Sequence, residues 1–116
     1  TTLAENCYNN MFNGCAITQP PELPATTLAT SCYSSMFNGC ASLTTAPELP
    51  ATTLAESCYN NMFNSCAITQ APELPVTTLA AHCYEAMFQG CTSLTSTPVL
   101  LATTLADSSY ASMFKG

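Results

Sequence analysis

At 116 residues with 47% hydrophobic side chains, the chain is long enough to bury the core of one modest domain, despite eight prolines. Seven acidic residues stand against one base, Lys115, for a net charge of −6. Only 7% of residues are charged, against about 25% in ordinary globular domains. Without clustered Lys and Arg the chain is not expected to bind nucleic acid or anionic lipid. No apolar run nears the roughly 20 residues of a membrane span, so direct membrane insertion is not expected either.

The organising fact is a tandem repeat. The string TTLA begins at Thr1, Thr26, Thr52, Thr77 and Thr103, in steps of 25, 26, 25 and 26 residues, and Tyr8, Tyr33, Tyr59, Tyr84 and Tyr110 keep the same steps. The residues therefore divide as one array, 1–116, with repeats at about 1–25, 26–51, 52–76 and 77–102 and a partial repeat at 103–116. Short units run from Cys15 through Ile17 to Pro24, and long ones from Cys40 through Leu43 to Pro50. The extra residue falls in the connection, where loops absorb length changes.

Each unit opens with a predicted helix. In the second, Leu28, Cys32, Met36 and Cys40 recur every four residues with Tyr33 and Phe37 beside them, which reads as the apolar stripe of a helix face. The second Thr of each pair (Thr2, Thr27, Thr53, Thr78, Thr104) stands at an N-cap position, with Glu5, Glu56 or Asp107 three residues on. Gly14, Gly39 and Gly90 fall where a left-handed residue would end the helix, and Ser65 is expected to be a slightly strained stop. Helices of about eleven residues are thus predicted from Leu3, Leu28, Leu54, Leu79 and Leu105.

The remainder of the unit is extended. Pro47 and Pro50 cannot donate to a sheet ladder, so only a short parallel strand per unit is expected. One helix and one short strand every 25–26 residues fit the 20–29-residue period of leucine-rich repeats. The fold expectation is therefore α/β: an open leucine-rich-repeat-like solenoid whose neighbouring units stack to bury their stripes.

The segments MFNGCASLTTAPELP and MFQGCTSLTSTPVLL resemble the BspA-like leucine-rich-repeat surface proteins of host-associated bacteria, in which Phe, Cys and Leu recur at this spacing. The resemblance covers the four complete units and the partial fifth. It implies a right-handed solenoid, a secreted or cell-surface location, and a role in adhesion or host interaction. The unit here is longer than the family's commonest repeat, carries APEL where alternating aliphatics belong, and begins with a distinctive TTLA. The chain opens in mid-motif, so any targeting segment is expected upstream.

The cysteines form two columns: Cys7, Cys32, Cys58 and Cys83, then Cys15, Cys40, Cys66 and Cys91. Eight residues of helix separate a unit's two thiols by about 12 Å, too far for a disulfide. The first reading is small buried apolar residues, interchangeable with Ser109; cross-unit bridges such as Cys15 to Cys32 stay open. Zinc spacings such as CxxC are absent, and no metal or cofactor site is expected.

Catalysis is not expected. His82 is the lone histidine, and its neighbour Cys83 should face the core while the polar column of His82 faces solvent. Glu22, Glu48 and Glu73 form a charged column ended by Val99, read as solvated carboxylates about 5 Å apart and not as a calcium row. The paired threonines would suit an ice-binding ladder, but the second of each pair is assigned to a helix cap and the 25/26 alternation would stagger a lattice. Tyr8, Met11, Phe12 and their copies are core at helical spacing, not a recognition surface.

What remains is a non-enzymatic scaffold that presents a binding or adhesion surface for a protein or glycan of host or bacterial origin. The candidate positions are those that vary between units: Asn9, Ser34, Asn60, Glu85 and Ala111, and the connection residues Thr18, Gln19, Thr44 and Thr45. A passive spacer is the alternative. No polar cap covers either end, so end-to-end self-association is also expected.

Overall fold

Low helix propensity governs what the repeat does. The segment from Ser31 to Gly39 reads SCYSSMFNG, nearly devoid of the Ala, Leu, Glu and Lys that favour helices and rich in Ser and Asn, which bond to local backbone and favour turns. In the computed structural model, which describes residues 3–98, 102–103 and 105–115, these segments form runs of consecutive tight turns over 5–14, 30–39, 56–65, 81–90 and 107–114. There is no helix among the described residues. Extended pairing among them is confined to isolated bridges, including the parallel ones of Thr27 with Thr53 and Gln70 with Ser96. The expected α/β leucine-rich-repeat solenoid, with a helix and a strand per unit, is therefore not what forms.

The turn runs have a four-residue rhythm. Every fourth residue is left-handed: Asn6, Asn10 and Gly14, then Ser31, Ser35 and Gly39, and so on through Ser108 and Ser112, with φ between 52° and 74°. Within a run, alternate amides close four-residue β-turns, as Cys32 N–H does on Ala29 O, Ser34 on Ser31, and Met36 on Tyr33. The intervening amides donate to the next repeat: Ser31 to Glu56, Tyr33 to Cys58, Ser35 to Asn60, Phe37 to Met62 and Gly39 to Asn64, at 2.8–3.0 Å. Half the ladder is local and half crosses between units, so interior runs leave few backbone groups orphaned.

This pattern sets the spacing of the repeats. Tyr8, Tyr33, Tyr59, Tyr84 and Tyr110 stack in one column, and Phe12, Phe37, Phe63, Phe88 and Phe114 in another, with ring centroids 5.6–6.0 Å apart. The backbones of neighbouring runs are close enough to hydrogen-bond at 2.8–3.0 Å, whereas packed helices hold their axes 8–10 Å apart, so helices could not occupy these positions. The close spacing also makes a compact particle of 32 × 26 × 18 Å, with a radius of gyration of 12.6 Å, near the roughly 13 Å of a globule this size.

Between these columns lies the core. Cys32, Tyr33, Met36, Phe37 and Cys40 are all buried, as are Cys58, Tyr59, Met62, Phe63 and Cys66, in a pattern of two residues in and two out. Leu43 and Ile68 close it where each run meets the connection. The Thr pairs cap nothing in the absence of helices; Thr26, Thr27, Thr52, Thr53, Thr77 and Thr78 are exposed. Thr2 and Thr104, and Val99 at the end of the acidic column, lie outside the described residues. Gly14, Gly39 and Gly90 are left-handed, as is Ser65 at φ 59°, but each is the last left-handed residue of a turn run and not a helix stop.

Candidate functional site

After each of the first three turn runs the chain crosses the particle as an extended arm in which exposed and buried residues alternate. In the second repeat Glu48 and Pro50 point out while Leu49 and Ala51 are buried; Glu22 with Leu23 and Glu73 with Leu74 repeat the arrangement. The prolines lack N–H, so neighbouring arms are laced only sparsely along this stretch. Grooves open between them instead. One of about 550 Å³ lies between the second and third arms, lined by Thr44, Thr45, Glu48, Thr69, Gln70 and Glu73 with Pro47, Pro50, Pro72 and Pro75. Beside it, about 510 Å³ separates the first and second arms, with Glu22 and Glu48 flanked by Pro20, Pro21, Pro24 and Pro47.

The chemistry of these grooves is one-sided. They offer exposed carboxylates, threonine hydroxyls and one amide against proline faces, and no cationic side chain lines either. Within a chain of net charge −6, that composition suits a ligand that brings hydrogen-bond donors or positive charge. Glu22, Glu48 and Glu73 are all exposed, and no group of three or more His, Cys, Asp or Glu among the described residues could hold a metal ion.

The two sets of candidate binding positions separate here. Thr44 and Thr45 line the larger groove, and Thr18 and Gln19 are exposed on the first arm. Asn9, Ser34, Asn60, Glu85 and Ala111 lie elsewhere, half-buried along the turn runs. There Asn9 Nδ2 bonds Asn6 Oδ1 at 3.2 Å and Asn60 Nδ2 bonds Glu85 Oε2 at 3.5 Å, so much of that column is engaged within the particle. Gln70, Pro72 and Pro75 were not singled out by the sequence; their part depends on the distance between neighbouring arms, which one repeat read alone does not carry.

His82 and Cys83 do not form a pair. His82 is half-buried, left-handed and in contact with Glu85, whereas Cys83 is fully buried on the opposite side of the run. All eight cysteines are unbridged. Three of the second column are hydrogen-bonded: Cys40 Sγ donates to Phe12 O at 3.0 Å, and Cys66 and Cys91 donate to the Phe37 and Phe63 carbonyls. Burial pushes the thiols of Cys32, Cys40, Cys58, Cys83 and Cys91 up, and that of Cys66 to about 12, so the interior thiols stay protonated and poor nucleophiles. Comparison of the chain with protein-family models, with curated proteins and with solved structures finds no match.

Proposed function

We propose that the chain is a non-enzymatic binding module of a bacterial surface protein, which offers its proline-flanked grooves to a protein or glycan ligand. The observation that carries this reading is the pair of adjacent grooves in which Glu22, Glu48 and Glu73 recur at one position per repeat beside exposed threonines. Repeat arrays keep the core constant and acquire ligands along an extended face, and a row of like sites gives avidity to a repetitive partner. The surface location rests on the resemblance of the repeat residues to the BspA-like proteins.

The test is binding of the chain to glycan arrays and to arrays of basic and hydroxyl-rich peptides, repeated with Glu48→Gln/Glu73→Gln. Both carboxylates are exposed, so the double variant should fold normally while binding falls about tenfold. A passive spacer is the second reading, favoured by the unchanged recurrence of Pro-Glu-Leu-Pro at Pro21–Pro24, Pro47–Pro50 and Pro72–Pro75. Silence across both arrays would select it.

A further inference from the structure

We propose that the two grooves recognise arginine: an extended peptide segment of a partner protein lays guanidinium groups from alternate residues into neighbouring grooves, with Glu48 shared between them. This assigns a ligand class to the grooves and rests on their role as the binding face. Pro47, Pro50, Pro72 and Pro75 have no N–H, yet each keeps its carbonyl, so the arms are poor in donors and rich in acceptors. From Ala46 to Ala51 no backbone amide or carbonyl of the second arm is hydrogen-bonded to the backbone of another described residue. The stretch between two grooves is therefore free to bond a ligand.

Side chains add acceptors of one sign. Glu48 and Glu73 flank the larger groove, Glu22 and Glu48 the smaller, and no cationic side chain lines either. A cation seated in a groove lies between two carboxylates, in a chain of net charge −6. The guanidinium group matches that inventory. It carries five donors and no acceptor in a weakly hydrated plane, which pairs two-pronged with a carboxylate and packs on apolar walls. An ammonium group has three donors and holds its water more tightly, so against proline rings it gives up more hydration for fewer bonds. A sugar hydroxyl brings two acceptor lone pairs with its one donor, which an acceptor-rich wall answers poorly.

The repeat step sets the spacing of the partner. Successive units stand 5.6–6.0 Å apart along the aromatic columns. Alternate side chains of an extended peptide share a face at about 6.6 Å, close to that step. An Arg-X-Arg segment laid across the arms thus brings one guanidinium to each groove, and both reach Glu48. Adjacent arginines point to opposite faces and cannot do so. Each exposed ion pair is weak by itself and screened by salt, so occupancy depends on both grooves filling together.

Fluorescence anisotropy with labelled peptides that carry Arg-Thr-Arg, Lys-Thr-Lys or Arg-Arg-Thr in one otherwise neutral, extended sequence tests this. Arg-Thr-Arg should bind at least about tenfold tighter than the other two, which have the same charge. Glu48→Gln should weaken it at least about tenfold with an unchanged urea midpoint. Glu56→Gln removes the same charge at an exposed position outside the grooves and should leave binding within about twofold. Equal binding of the arginine and lysine peptides, or equal loss in the two variants, would mean attraction to net charge alone and would overturn the proposal. Silence of all three peptides, with glycan binding that Glu48→Gln/Glu73→Gln abolishes, would overturn the arginine assignment and keep the grooves as the binding face. Silence of peptides and glycans alike would overturn both.

Discussion

The amide of Tyr33 donates to the carbonyl of Cys58 in the next repeat at 3.0 Å, where an α-helix would have sent it to Ala29 four residues back. That one redirection, repeated at every second residue, converts a local ladder into one that joins neighbouring repeats. It requires a left-handed residue every fourth position, and this gives the first prediction.

Ser35, at φ 53°, occupies such a position in the middle of the second run. A side chain there costs about 1–2 kcal/mol relative to the right-handed region, and glycine escapes most of that cost. Ser35→Gly should stabilise the protein by about 0.5–1 kcal/mol in urea denaturation. Ser35→Ala, which would gain about 0.5 kcal/mol in a helix, should gain nothing here. A loss with Gly and a gain with Ala would mean that the run is helical after all.

The distinction was hard to read because the two periods nearly coincide over a short run. Four residues of helix turn about 400°, so a strict four-residue spacing drifts only about 40° per step and stays within a helical stripe across Cys32, Met36 and Cys40. Which residues face inward was therefore legible, and the 25/26 step was legible outright. The backbone signal lay in the other columns: Asn6, Asn10 and Gly14 recur as Ser57, Asn61 and Ser65, a series suited to turns and, at Asn and Gly, to positive φ. Gly14, Gly39 and Gly90 were read as stops when each is the third of three equivalent positions. The arms were legible as extended and loosely paired from their prolines. The grooves were not, since they exist only between two arms.

The thiols supply a second prediction. Cys58 is fully buried, and Ser109, 4% exposed, stands in the same column. Cys58→Ser should cost about 1–2 kcal/mol for a buried hydroxyl without a good partner, and Cys58→Ala less. Thiol titration of the denatured, unreduced protein should find eight reactive groups. Two would mean three bridges, and either substitution would then cost about 2–5 kcal/mol by stranding a partner.

Alkaline pH should destabilise the protein through its buried thiols and tyrosines. Burial raises Cys66 from an ordinary value of 9.0 to about 12 and raises the buried tyrosines above their usual 10.0. With folded values above unfolded ones, the folded state holds protons that the unfolded state releases. Stability is therefore full below about pH 9 and declines between pH 9 and about 12, by at most about 1.4 kcal/mol per pH unit for each such group. Urea midpoints at pH 7, 8, 10 and 11 should be level between the first two and fall thereafter. A midpoint that still holds at pH 11 would mean that these side chains are solvated.

Tyr84 combines both themes. Its ring is stacked between Tyr59 and Tyr110 at 5.9 and 5.7 Å, and the residue is 1% exposed. Its hydroxyl is the one buried side-chain nitrogen or oxygen among the described residues with no hydrogen-bond partner. Such a group forfeits its water without replacement, at about 1–3 kcal/mol. Tyr84→Phe keeps the ring, the stacking and the volume while deleting that oxygen, so it should raise stability by about 1 kcal/mol. The same change at Tyr59, whose hydroxyl is not trapped in this way, should gain less. The comparison is made by thermal and urea denaturation at pH 7, where neither tyrosine ionises. If Tyr84→Phe destabilises more than Tyr59→Phe, the hydroxyl has a partner and the column is packed differently at its fourth ring.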